Sequence, residues 1–280
     1  MFYKLTLQNE AGNIIDINDG ERFQVLNCRG LTPPGAELFL SRSPNRKGAK
    51  FNGSSLSERT VEIDIKIYGD VEENRNLLYN WVNPESYCRI NYSNRLKNVY
   101  CEGYVQEATP ELFSNSQVMS VVVICGDPYL KSLYTIYQEI SQYLNQFTFP
   151  FSIDEAGIPF STLKADTATT FTYNGVKSGF KAQIIVKSEI TRLQITNLID
   201  TSYFALAVTF PAGTVILIDS FSSPKKVTNL TTGENLLKYM SNNSSWLKLL
   251  TGQNRFSYEV DTSPDDVEVT FLLNDRYLGV

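Results

Sequence analysis

The chain has 280 residues and a mass of 31.6 kDa, with 42% hydrophobic, 20% charged and 12% aromatic residues. That length suits one large or two modest domains with real cores, and 16 tyrosines with 16 phenylalanines argue against disorder. A net charge of -5 has the wrong sign for a general nucleic-acid binder, and the absence of histidine removes the commonest general base and metal ligand and every Ser-His or Cys-His pair.

No apolar run approaches the ~18 residues of a membrane span. The N-terminus alternates like a strand and lacks the marks of a signal peptide, so the expectation is a soluble chain made in the cytosol. Phe2–Leu7 is the first predicted strand, followed after the Ala11-Gly12-Asn13 turn by Ile14–Ile17 and then Arg22–Asn27. Leu31-Thr32-Pro33-Pro34-Gly35 is a rigid turn. Residues 41–57, rich in Gly, Ser, Pro and Lys with almost no apolar anchors, predict an exposed loop or arm. Arg59–Tyr68 alternates strictly, with Val61, Ile63, Ile65 and Ile67 on one face, as a half-buried strand does.

Asp70 with Glu73 three residues on starts a helix that runs through Asn74, Leu78, Trp81 and Val82 and stops at Pro84. Strands resume at Tyr87–Tyr92, Val99–Gln106 and Gln117–Cys125. The spacing of Leu133, Tyr134, Tyr137, Ile140, Leu144 and Phe147 then predicts an amphipathic helix over 131–146, broken by Phe147-Thr148-Phe149-Pro150-Phe151. Beyond residue 150 the reading is nearly all β. Strands are predicted at Thr169–Tyr173, Lys181–Lys187, Arg192–Asn197, Tyr203–Phe210, Thr214–Asp219, Lys226–Asn229, Arg255–Val260 and Asp266–Leu272, with a short helix at Asn235–Met240.

The fold class is therefore mainly β. An N-terminal β-sandwich or barrel-like domain with one short helix spans 1–132, a helical linker 133–150, and a C-terminal β-sandwich or jelly roll 151–280.

Chemistry-bearing constellations are few, and no catalytic, cofactor-binding or metal-ligating residue is predicted. Cys28, Cys88, Cys101 and Cys125 are too widely spaced for a zinc knuckle. A hairpin turning at Asn94-Arg95 would set Cys88 roughly opposite Cys101, where buried free thiols are the expectation and a disulfide the alternative. Adjacent acids such as Glu72-Glu73 and Asp265-Asp266 diverge on a helix or strand and read as solvated surface. Glu62 and Asp64 share the polar face of a strand and lack identifiable partners for a cation. Gly126-Asp127-Pro128-Tyr129 reads as a turn ending a buried strand. No glycine-rich phosphate cradle is present. Trp246 near Asn242, Asn243 and Lys248 has the make-up of a carbohydrate platform, for which a core or loop-anchoring Trp is the plainer reading.

In order along the first 165 positions, the sequence resembles the distal tail protein family of long-tailed bacteriophages and phage-like particles, including tailocins. The resemblance rests on Arg29-Gly30-Leu31-Thr32-Pro33-Pro34-Gly35, on Arg59 opening the strand that ends in Tyr68-Gly69-Asp70, and on Asn74–Tyr79. It continues through Gly103-Tyr104-Val105, Cys125–Tyr129, Phe147–Phe151 and Gly157-Ile158-Pro159-Phe160. The second half matches more loosely, at Leu250–Asn254 and Arg276-Tyr277-Leu278-Gly279-Val280.

The resemblance implies a non-enzymatic structural protein of the virion tail, assembled in the host bacterial cytoplasm. It implies a homo-hexameric ring of N-terminal domains joining the tail tube protein to a tail-tip hub protein, with DNA only as passing cargo and no membrane partner. It also implies a C-terminal galectin-like β-sandwich that supports receptor-binding or baseplate proteins, and a last strand able to return to the N-terminal domain. The acidic balance suits a DNA channel, since inward acids repel phosphate. Two other classes compete: a carbohydrate-binding module contacting the host wall, and a wall hydrolase built on carboxylates, for which the sequence offers no convincing pair.

Overall fold

Period-two patterning builds most of this molecule, a computed structural model describing residues 3–42, 47–113, 115–140, 143–145, 161–163, 168–222 and 224–280. The first ten strands are β1 (Lys4–Gln8), β2 (Ile14–Asp16), β3 (Phe23–Arg29), β4 (Ala36–Ser41), β5 (Lys50–Leu56), β6 (Arg59–Ile67), β7 (Tyr87–Ser93), β8 (Asn98–Pro110), β9 (Val118–Cys125) and β10 (Leu130–Ile140). Helix α1 (Val71–Tyr79) lies between β6 and β7. The remaining strands are β11 (Tyr143–Asn145), β12 (Ser161–Leu163), β13 (Ala168–Tyr173), β14 (Lys181–Val186), β15 (Ile190–Asn197), β16 (Tyr203–Phe210), β17 (Val215–Asp219), β18 (Lys226–Asn229), β19 (Gly252–Val260) and β20 (Val267–Tyr277). Residues 1–134 with 276–280 form one compact unit and 135–275 another.

In the first unit, antiparallel ladders run in the order β2-β1-β7-β8-β9-β6-β3. The alternation read in β6 is realised: Arg59, Val61, Ile63, Ile65 and Ile67 are buried, while the residues between them face outward. Val121 and Val123 of β9 and Leu5 and Leu7 of β1 join the same core. Each fully buried aliphatic side chain contributes about 1.5–3 kcal/mol relative to exposure, so this face alone specifies the register.

The predicted helix start is also realised. The Asp70 carboxylate accepts a 3.1 Å hydrogen bond from the Glu73 N–H, and Glu72 and Glu73 place negative charge at the positive end of the helix dipole. Leu78 and Val82 are the buried anchors. Asn80 caps the C-terminus, so the helix ends before Trp81 and well before Pro84.

Two expectations need correction. The spacing that predicts a helix over 131–146 belongs to strands: Leu130–Ile140 is β10, and Tyr143–Asn145 pairs with Ser161–Leu163. Lys131 and Ser132 ladder onto Tyr100 and Val99 of β8, and a segment rich in Tyr, Thr and Ile suits a pleated strand. Leu133, Tyr134 and Tyr137, which the helical reading sets on a buried face, are exposed. The 133–150 segment is thus not a helical linker where it is described. The Phe147–Phe151 and Gly157–Phe160 signatures lie outside the described residues. The second correction concerns 41–57, whose ends are paired strand.

The second unit is a sandwich of two antiparallel sheets, ordered β18-β17-β14-β20 and β13-β19-β15-β16. Ile184, Ile218, Val269 and Phe271 from one sheet meet Leu193, Ile195, Phe204 and Phe256 from the other in a single core. Phe180, Phe256 and Phe271 pack with centroids 5.0–5.4 Å apart in edge-on and tilted geometries, which ring quadrupoles favour. The short helix predicted at Asn235–Met240 is a single 3-10 turn, Leu237–Tyr239. Among the described residues, no helix is long and apolar enough to cross a membrane.

Candidate assembly interface

Three separated sequence signatures converge on Arg59, itself the opening residue of a fourth. Its side chain is 1% exposed, and its guanidinium donates to four backbone carbonyls. Nε reaches Pro128 O at 2.9 Å, Nη1 reaches Gly30 O and, at 2.9 Å, Thr32 O, and Nη2 reaches Leu278 O at 2.7 Å. The planar fork supplies these directions at once, which a lysine could not. Burial pulls the guanidinium below its ordinary pKa, opposed by Cys101, Cys125 and Asp127.

The segments it ties are the Arg29–Gly35 turn, the Gly126–Tyr129 turn and the tail after Tyr277. Gly30, at φ +88°, could carry no side chain, since a Cβ there would lie 1.9 Å from Thr60 O. Further contacts hold the tail in the first unit. Arg276 pairs with Asp127 at 3.3 Å, Lys97 Nζ donates 2.8 Å to Gly279 O, and Val280 N donates 3.1 Å to Leu31 O. Asp127 also accepts from the Tyr129 N–H and pairs with Lys131 at 3.2 Å. The Asp-Pro-Tyr turn is held by structural contacts, and its pairing with Arg276 was invisible in the sequence because that residue lies 149 positions away.

The second feature is a hairpin. Among the described residues β4 and β5 pair only with each other, Ala36 opposite Leu56 and Ser41 opposite Lys50. No residue of β4 is buried, and Leu38 (57% exposed), Phe39 (46%), Leu40 (53%) and Phe51 (58%) stand in solvent. An isolated two-stranded ribbon is marginal by itself, and clustered exposed apolar side chains mark a surface that binds something. The sequence places the arm at 41–57. The structure begins it at Ala36, and residues 43–46 lie outside the described set. Its apolar content sits in Leu38-Phe39-Leu40, just upstream of the span read as lacking anchors. That run directly after a Pro-Pro-Gly turn was the available signal.

None of the acid pairs converges. Glu72 and Glu73 occupy the first turn of α1. Asp265 and Asp266 sit in a 3-10 turn capped by Ser263, where hydroxyls of Ser188 and Thr262 hold the Asp266 carboxyl below the usual carboxylate range. Glu62 and Asp64 are both engaged by Arg29, at 3.1 and 3.6 Å. Trp246 packs against Phe204 with Lys225 over its ring, a loop anchor on the second core. All four cysteines are free. Cys88 faces Gly103, and Ile90 faces Cys101, so the register sets the two thiols diagonally. Among the described residues, no group of three or more Cys, Asp or Glu side chains is arranged to hold a metal.

Residues 175–275, within the second unit, match the family model of the siphovirus-type tail component, C-terminal domain. This stretch is therefore similar to a tail-component domain. No curated protein sequence matches the chain. The whole chain shares its fold with tail proteins. It superposes on the crystal structure of the Dit protein (gp 19.1) of phage SPP1, described as a paradigm of the hub adsorption apparatus in phages infecting Gram-positive bacteria, with a TM-score of 0.66 and 13% identity over 97% of this chain and 98% of that one. It also superposes on a chain of the phage P2 baseplate in its activated conformation with calcium, with a TM-score of 0.52 and 13% identity over the full length of both. At 13% identity these likenesses speak for the fold. The fold class is the mainly β, Dit-like one, and the matched stretch covers most of the sandwich described above.

Proposed function

We propose that the chain is a structural, non-enzymatic component of a phage tail or phage-like particle, a baseplate hub subunit whose copies join in a ring at the end of the tail tube. The observation that carries this reading is the solvent-exposed apolar hairpin of β4 and β5 on a fold shared with tail hub proteins. A ring of identical copies needs a head-to-tail contact, in which one surface docks on a different surface of the neighbour. A projecting ribbon with free edges and apolar side chains supplies one half of such a contact. Six copies, a galectin-like character for the second unit, and tube, tip and receptor-binding partners enter through the family resemblance. On this reading the tail-component domain carries peripheral baseplate parts, and DNA passes through without being bound.

Light scattering on the purified chain, with negative-stain imaging, tests it. A ring of defined mass is expected, formed alone or on addition of tube protein. A chain that stays monomeric at high concentration and is missing from assembled particles overturns the reading.

A further inference from the structure

The first unit carries a groove of about 530 Å³ between the β1–β2 turn, the end of α1 and the β7–β8 ladder. Its aromatic side is Trp81, Tyr87 and Tyr104. Tyr87 and Tyr104 face each other across the ladder with centroids 6.2 Å apart and planes at 80°, and Tyr104 is well exposed. Its charged side is Glu10 and Glu85, both exposed, and no basic residue lines it. Glu85 is held there at φ +69° by its N–H bond to Val105 O at 2.8 Å. Burial, followed by the Glu102 carboxylate, pushes the Tyr87 hydroxyl up to about 12. The groove thus offers flat π faces beside carboxylates, a surface suited to guanidinium and ammonium groups that stack and pair together.

The same unit carries a matching cationic element. The end of the β4–β5 hairpin bears Arg42, Lys47 and Lys50, all exposed, and residues 41–50 contain no acid at all. Among the described residues these three basic side chains make no ion pair. Resting on the reading of the chain as a ring subunit, we infer that the acidic aromatic groove of one copy receives the basic hairpin end of the next. Leu38, Phe39, Leu40 and Phe51 then supply apolar contact along the ribbon, and the charges at its end select the register. Like charges oppose any groove-to-groove or hairpin-to-hairpin pairing, so the contact is directional, as a closed ring requires.

Two charge-reversed chains test this in the full-length protein. One carries Glu10→Lys with Glu85→Lys, and the other Arg42→Glu with Lys47→Glu and Lys50→Glu. Self-association, followed by sedimentation and light scattering, is expected to weaken about tenfold or more in each alone and to return when the two are mixed in equal amounts, because each then offers the other a complementary pair. Restoration on mixing rules out misfolding as the cause. An assembling wild-type chain with either variant also assembling, or a mixture that does not recover, overturns the groove assignment while leaving the ring intact. A wild-type chain that never associates overturns both.

Discussion

Arg59 and Leu278 stand 219 residues apart in the chain, yet the arginine Nη2 donates a 2.7 Å hydrogen bond to the leucine carbonyl. A buried guanidinium is costly to desolvate, and this one is tolerated because its donors are met by four backbone carbonyls. The residue ties two turns and the chain's tail to the opening of β6.

Replacing Arg59 with Ala is therefore expected to destabilise the first unit by about 3–5 kcal/mol, through the carbonyls it leaves buried and unpaired. Hydrogen exchange resolves this by position. The Val280 amide, bonded to Leu31 O, should lose protection first, while amides of β14 and β17 keep theirs. Arg59→Lys keeps the charge but not the fork, and should fall between the two.

Gly30 gives a steric test with an internal control. Gly30→Ala sets a methyl carbon 1.9 Å from a backbone oxygen at a positive φ, and is expected to cost more than about 2 kcal/mol. Gly126→Ala meets nothing within 4 Å and should stay within about 0.5 kcal/mol of the parent. Paired denaturant melts compare them, and equal midpoints would contradict the close approach.

In the second unit, burial works against the charge of Asp219, but the Ser222 hydroxyl and N–H, with Lys181 at 3.3 Å, outweigh it and hold the carboxyl below its ordinary 3.8. A depressed folded value means the stabilisation is complete above 3.8 and is lost as the pH falls below that through the folded pKa. Asp219→Asn should cost about 1–3 kcal/mol at neutral pH, and the gap to the parent should close in acid melts below pH 3.8. A gap constant down to pH 2 would refute the assignment.

The thiols should be inert while the chain is folded. Burial pushes Cys88 up to about 12 and Cys28 up to about 11, and the contact with Cys125, then burial, holds Cys101 well above its usual value. The same contact with Cys101 pulls Cys125 below its usual value, so it is protected by burial alone. At pH 7 a thiol of pKa 11 is ionised about once in ten thousand. Alkylation followed by mass spectrometry should label half-buried Cys28 first and slowly, and the other three only after unfolding.

The exposed ribbon can be tested separately from the units it serves. Leu38→Asp with Phe51→Asp should weaken self-association while moving the melting of the chain by no more than about 0.5 kcal/mol, since neither side chain is buried. A large loss of stability would mean that the ribbon packs on its own copy.

Much of the strand inventory was legible because strands hide a face or a whole segment: β6 and the end of β19 alternate plainly, β9 shows as an apolar run, and Asp70 announces its helix through a local hydrogen bond. β10 was misread because tyrosines and leucines at three- and four-residue spacing serve a helix and an exposed strand equally well, and only the ladder to Tyr100 and Val99 distinguishes them. The signatures around Gly30, Arg59, Asp127 and Arg276 were visible as motifs, yet nothing local says that they meet. The groove of Trp81, Tyr87 and Tyr104 was not legible at all, since its residues lie on separate elements and carry no shared spacing.

Composition and period-two patterning by themselves determined a mainly β chain without histidine chemistry, because burying one face of a strand leaves its mark at every second residue. The tertiary structure alone decided which carbonyls Arg59 satisfies, where the last five residues dock, and which apolar side chains are left in water. Those outcomes depend on backbone groups and on residues far apart in the chain, and hydrogen bonds to the backbone leave no trace in side-chain order.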